Sequence, residues 1–335
     1  MPLRTSREVT GFRPPSGARG PLTRSLLALA GAVLALSPLT GCGPADPAEG
    51  APRAGAPGAA VPVDESNWPK STPDKGLARG LVLPLQQYMQ TYKESVVIER
   101  AARGLQTECM AEFGFTIVFP PAGVNPPPNA DDANMSRRYG ITERDLAEKY
   151  GYGIPPDAVE HPAPPRLTPA AIAVLTGRKA LDPRAEPAPA TYQGKKIPKD
   201  GCQGSAFDRI GARIDFGLSS RLDHDSLVKS QETPEVQAVI KAWSGCMRKK
   251  GYEVADPYAA TDLVRRVEGV ETSGKEIAAA LADIDCKKEV DLVRIWHTVD
   301  AALQARQVEQ NQLALQQLKD KNAHAVKAAE AALRG

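Results

Sequence analysis

Cys109-Met110-Ala111-Glu112-Phe113-Gly114-Phe115 and Cys246-Met247-Arg248-Lys249-Lys250-Gly251-Tyr252 are two copies of one pattern, Cys-Met-x-x-x-Gly-aromatic, and the fold turns on how they are read. Each copy closes a stretch with helical periodicity. Val97, Ala101, Leu105 and Cys109 recur every fourth residue ahead of the first stop, and Val236, Ile240 and Trp243 share a face ahead of the second. Glycine takes the left-handed conformation just past a helix end more readily than any other residue, so Gly114 and Gly251 mark two C-terminal caps. The aromatic after each cap can then fold back over the face that carries the Cys. A proline follows each copy within six residues and keeps the helix from resuming.

Upstream of both copies, the N-terminus has the layout of an export signal. Arg4, Arg7, Arg13, Arg19 and Arg24 precede an apolar run from Ser25 to Leu36, and Ser37-Pro38 leads into Leu39-Thr40-Gly41-Cys42. The run falls short of the roughly 20 apolar residues that span a bilayer. A thiol after Leu-Thr-Gly resembles a bacterial lipobox. That resemblance implies a diacylglycerol on the Cys42 sulfur, cleavage between Gly41 and Cys42, and an anchor in the cell membrane on its extracellular side. Stable anchoring takes more than one acyl chain, since each buried methylene contributes only about 0.8 kcal/mol. Residues 1–41 hold five Arg and one Glu of the chain's 42 basic and 40 acidic residues, which leaves 37 and 39. The positive excess belongs to the signal, so charge gives no support for a nucleic-acid partner.

With Cys42 assigned to lipid, Cys109, Cys202, Cys246 and Cys286 remain, an even set in an oxidising compartment. Two disulfides are expected, with three ways to pair them. A zinc site would need close ligand spacing; there is no CxxC or CxxH pair, so neither a metal nor another cofactor is expected. The echo of the two copies, each followed later by one further Cys, points to two related halves with Cys109 bonded to Cys202 and Cys246 to Cys286.

Along the chain, residues 42–76 are rich in Pro, Gly and Ala and read as a disordered tether. Residues 77–200 form a first half, helical with long loops. Leu81 to Pro84 leads into a helix through Tyr88 and Tyr92 that continues from Ser95 to Glu112, and residues 120–134 form a Pro- and Asn-rich loop. Thr142 is placed as an N-cap for a helix ending at Tyr150, with Gly151 beyond it. Thr168-Pro169 opens another helix stopped by Gly177, and residues 178–200 read as irregular.

Residues 201–335 form the second, helical half. One segment carries Phe207, Ile210 and Ile214, a second runs from 220 to 231, a third starts at Thr233-Pro234, and a short one runs from Asp256-Pro257 to Glu268. Ser273 with Glu276 reads as a capping box for a last element with neither Pro nor Gly from Lys275 until Gly335. Helical throughout, it would extend about 90 Å. Its first part has an apolar stripe of Ile277, Leu281, Ile284, Leu292, Ile295, Trp296, Val299 and Leu303. Its second keeps Val308, Leu315, Leu318, Val326 and Leu333, and is expected to project or to meet a partner. The expected fold is mainly α: a disulfide-stabilised helical domain with long Pro-rich loops and a long C-terminal helix.

LVLPLQQYMQ, ECMAEFGF, RRYG, KYGYGIP, WSGCMRKKGY and ALADIDCKKEVDLVRIWHTVD, taken together, resemble a group of exported actinobacterial lipoproteins of uncharacterised function. The resemblance spans most of residues 81–303. It implies lipidation and a shared extracellular domain, and carries no reaction.

No HExxH, phosphate loop or dinucleotide fingerprint is present, and Gly217-Leu218-Ser219-Ser220-Arg221 lacks the second Gly of a nucleophile elbow. His224 lies in a charged stretch between Asp223 and Asp225, His297 beside Trp296 on the last element, His161 in a Pro-rich loop and His324 near the end; none forms a constellation. The candidate ligand-binding cluster is Arg137, Arg138, Tyr139, Tyr150 and Tyr152. Tyr rings stack on sugars and Arg pairs with anions, while the alternative is that these aromatics pack inside a helix hairpin. The expectation is therefore a non-catalytic binding or structural module of the cell envelope, with an envelope or cell-wall partner on the C-terminal helix. The alternative is a cell-envelope hydrolase with a carboxylate site that no motif reveals. A solute-binding lipoprotein is disfavoured, because the strand and helix alternation of two α/β lobes is missing.

Overall fold

Nine α-helices, three short 3-10 helices and one two-stranded hairpin account for the regular structure among the described residues of the computed structural model. Those residues are 63–124, 126, 135–155, 165–212, 217–264 and 272–335. The export signal, Cys42, His161, Ile214 and Glu268 lie outside them, as do the tether to residue 62 and most of the loop at 127–134. Two disulfides are formed, Cys109–Cys202 and Cys246–Cys286, each with Cα atoms 5.7 Å apart.

The described chain begins ahead of residue 77. Trp68 packs edge-on against Tyr92 at 5.5 Å, and its indole N–H donates to Gly123 O at 2.8 Å. The expected helix through Tyr88 is a 3-10 turn, Pro84–Tyr88, closed off before α1 (Tyr92–Glu112) begins. Thr91 makes the break: its side chain accepts from Glu94 N–H while Glu94 reaches back to Thr91 N–H, a full capping box. The Thr91-x-x-Glu94 spacing carried that signal in the sequence.

α2 (Arg144–Tyr150) starts one residue later than a Thr142 cap would place it, with Glu143 at the N-cap position. Thr142 donates its hydroxyl to Ser136 O at 2.7 Å, so it fastens a loop rather than a helix. α3 (Pro169–Thr176) has Thr168 as cap and Gly177 in the left-handed region as stop. The segment expected to be irregular contains a hairpin, β1 (Thr191–Tyr192) against β2 (Lys195–Lys196), with both turn residues Gln193 and Gly194 at positive φ.

α4 (Gly201–Arg209), α5 (Gly217–Gln231) and α6 (Pro234–Lys249) follow. Beyond α6 the expected helix from Pro257 shrinks to a 3-10 turn, Ala259–Asp262. The last stretch is helical but divided into α7 (Gly274–Glu289), α8 (Leu292–Gln310) and α9 (Gln312–Ala332). Asp291 takes φ 57°, a conformation that aspartate tolerates better than most side chains, and Asn311 breaks the second junction at φ −119°. The straight 90 Å rod is thereby replaced by three helices that turn back on the domain.

Four apolar clusters result. The largest gathers Trp243, Met247, Cys286, Trp296 and Tyr139 between α6, α7 and α8. In the second, α1 lays Ile98, Ala101 and Leu105 against Ala325 and Ala329 of α9 and Ala206 of α4. The third surrounds Cys202 with Met110, Phe113, Val174 and Ile197, and the fourth joins Leu85 and Tyr88 to Leu315. Of the residues expected to project from the second part, Val308, Leu315 and Val326 pack within these clusters, while Leu333 stays exposed.

Candidate functional site

Arg138 and Tyr139, two of the five candidate ligand-binding residues, are buried at the centre of the largest cluster. The loop at 135–141 delivers them between α5 and α8. Arg138 Nε donates to Asp300 Oδ2 at 2.6 Å and Nη1 to Asp223 Oδ2 at 2.8 Å, while Nη2 reaches Asp223 O and Ser226 Oγ. Tyr139 Oη donates to the same Asp300 Oδ2 at 3.0 Å. Gln304 Nε2 donates to Asp223 Oδ1 at 2.7 Å, and its Oε1 accepts from Leu85 N–H at 3.1 Å. One guanidinium therefore ties the loop to α5 and α8, and Gln304 extends the network to the 3-10 turn at residue 85.

Burial alone would lower the Arg138 pKa, but Asp300 and Asp223 outweigh it and hold the guanidinium above its ordinary value. Burial lifts the Asp223 carboxyl, opposed by Arg138 beside it. Burial, with the Asp300 charge added, pushes the Tyr139 phenol well above 10.0. Tyr139 and Tyr258 both contact Trp296, at 5.2 and 5.8 Å between ring centroids. The Trp296 N–H donates to Ser230 Oγ at 2.7 Å, so every polar edge named in this aromatic group has a partner.

The other three candidates sit apart from this network. Arg137 donates to Tyr152 O and Gly153 O, and Tyr152 Oη donates to Ala279 O at 3.2 Å from a buried position. Tyr150 is half-buried at the end of α2. The five residues are neighbours in sequence, yet the fold spends Arg138, Tyr139 and Tyr152 on interior contacts and gathers no common open face from them.

Clefts open to ligands among the described residues include one of about 480 Å³ at α4, lined by Arg178, Leu181, Asp200, Gln203 and Phe207. A second, about 320 Å³, lies between α1 and the segment at 117–122 and is lined by Arg100, Arg103, Thr107, Ile117 and Phe119. A third, about 260 Å³, alternates Lys75, Glu143, Arg144, Asp145, Asp285 and Lys288, with Arg144 paired to Asp285 at 2.6 Å. His224 and His324 are exposed, while half-buried His297 meets Val82 O at 2.8 Å. Among the described residues no group of three or more His, Cys, Asp or Glu could hold a metal ion, and no helix is long and apolar enough to cross a membrane.

Asp223, Ser226, Asp300 and Gln304 carry the network, and motif reading passes over all of them. Trp296, Asp300 and Gln304 follow one another at four-residue spacing, so two polar residues on the apolar stripe of α8 were the available signal. Compared with protein-family models, with curated proteins and with solved structures, the chain has no match.

Proposed function

We propose that this chain is a lipid-anchored protein of the extracellular face of the cell membrane, and that its helical domain is a non-catalytic binding or structural module of the envelope. The observation that carries the reading is Cys42, set in Leu39-Thr40-Gly41-Cys42 and left over once two disulfides have taken the other four cysteines. Disulfides persist outside the reducing cytosol, which agrees with export. The use of Arg138, Tyr139 and Tyr152 in interior contacts supports a rigid module rather than a reacting centre.

The test expresses the full chain in a bacterium that processes lipoproteins and feeds the cells a palmitate analogue. Label is expected on the wild-type chain in the membrane fraction and none on Cys42→Ser. An unlabelled wild-type chain, or label persisting on the variant, overturns the anchor. Crosslinking in intact cells, with the full-length protein as bait, tests the module: recovery of an envelope component supports it, and recovery of the bait alone counts against a binding role.

A further inference from the structure

Asp283 and Lys287 lie one turn apart on α7, and neither side chain has any exposure to solvent. Lys287 Nζ is 3.0 Å from Asp283 Oδ2 and donates to Ile141 O, also at 3.0 Å. Asp283 Oδ1 accepts from the Trp243 indole N–H at 2.9 Å. The chamber is tight on the far side, where a Cβ on Gly140 would stand only 2.6 Å from Nζ. As an ion pair the two groups are poorly provided for. An ammonium offers three donors and meets two acceptors here, and burying both charges carries a desolvation cost that one hydrogen bond seldom repays.

Burial accordingly drives both groups towards their neutral forms. It raises the Asp283 carboxyl, with Lys287 opposing, and it lowers the Lys287 amine, with Asp283 opposing. A neutral amine is a nucleophile, and a protonated carboxyl whose carbonyl oxygen accepts the Trp243 N–H is an acyl group open to attack.

From this geometry we propose that Lys287 and Asp283 become joined by a side-chain amide within α7. A proton passes from the ammonium to Oδ2, leaving a neutral amine and a neutral acid. The Nζ lone pair then forms a bond to Cγ, the Cγ–Oδ2 bond breaks, and Oδ2 leaves as water with its own proton and one from nitrogen. Nothing is oxidised or reduced, and no co-reactant is needed. The product fits its chamber better than the reactants do. It keeps one N–H and one C=O, and the two partners already in place are one acceptor, Ile141 O, and one donor, Trp243 Nε1. Two buried charges are replaced by a satisfied neutral amide. The inference is independent of the lipid anchor, because it concerns α7 alone.

Peptide mapping of the purified full chain tests it. After denaturation, reduction and alkylation, trypsin should fail to cut after Lys287. The peptide from Glu276 to Lys288 should appear one water lighter, with fragment ions that keep Asp283 and Lys287 together. In Asp283→Ala the cut after Lys287 should return, and since the digest is run on denatured protein this readout does not depend on the variant's fold. A full-mass peptide from Glu276 to Lys287 overturns the proposal. So does loss of water with cleavage after Lys287 intact, which would mark a succinimide at an aspartate, and so does a block at Lys287 that survives in Asp283→Ala.

Discussion

The two Cys-Met-x-x-x-Gly-aromatic copies end their helices in the same way and then serve different purposes. At the first, Phe115 N–H bonds to Met110 O at 3.0 Å and Gly114 N–H to Ala111 O at 2.9 Å; at the second, Tyr252 N–H bonds to Met247 O at 3.0 Å and Gly251 N–H to Arg248 O at 3.0 Å. Both glycines sit at positive φ, 80° and 88°, and both methionines are fully buried. These are matching Schellman caps. Beyond the cap the copies diverge. Cys109 bonds across 93 residues to Cys202, in the first turn of α4, whereas Cys246 bonds across 40 to Cys286, in the last turn of α7. Phe115 stacks on Tyr192 of the hairpin, and Tyr252 packs against the largest apolar cluster. A cap of this kind closes within six residues, so its sequence specifies it wherever it stands, while the partner of its Cys belongs to the whole fold.

The largest effects should come from the disulfides. Converting both cysteines of a pair to Ala should cost about 4.7 kcal/mol for Cys109–Cys202 and about 3.9 kcal/mol for Cys246–Cys286 if loop entropy governs. Denaturant unfolding of the two double variants measures this. The reverse order would mean that packing in the larger cluster outweighs the longer loop.

Next comes the buried charge of the second region. Arg138→Met should destabilise by about 3–5 kcal/mol, because Asp300 is left buried without its cation. Replacing Arg138, Asp223 and Asp300 together by apolar residues of similar size should cost far less than the single change. If the triple variant is the worse of the two in the same unfolding assay, the network contributes more than mutual charge compensation.

Gly114→Ala and Gly251→Ala should each cost about 1–2 kcal/mol, and by equal amounts, since an added Cβ meets nothing within 4 Å at either site and only backbone strain remains. Unequal melting shifts would break the equivalence of the caps. The smallest effect separates the aromatics. The ring pair of Phe115 and Tyr192 should show a coupling of about 0.5–1.5 kcal/mol in a double-mutant cycle. The same cycle on Tyr252 and Met247 should give less, since no ring partner for Tyr252 is present among the described residues.

Much of the helical outline was legible because helix ends are written locally. Thr168-Pro169, Thr233-Pro234, Gly177 and Gly251 each act within one turn of where they stand, and the structure uses all four as caps. A third Schellman cap at Gly211, with Ala212 N–H to Phe207 O at 2.9 Å, followed the same rule without a Cys to draw attention to it. Ser273 caps α7, but the box is not closed: the Glu276 carboxylate accepts from Tyr152 N–H at 3.2 Å, in a loop 124 residues away. The breaks at Asp291 and Asn311 carried neither Gly nor Pro, and a propensity reading runs straight through them.

By itself the sequence determined the helical class, most of the caps and the set of four cysteines that pair, since each depends on hydrogen bonds or counts that close within a few residues. Tertiary structure alone decided that Arg138 would be sealed against Asp223 and Asp300, 85 and 162 residues away, and that Asp283 and Lys287 would share a dry chamber under Trp243 and Ile141. A charged side chain looks the same in sequence whether it is solvated or buried. Its chemistry is set by how much water the packed chain removes from around it and by which distant groups take the water's place.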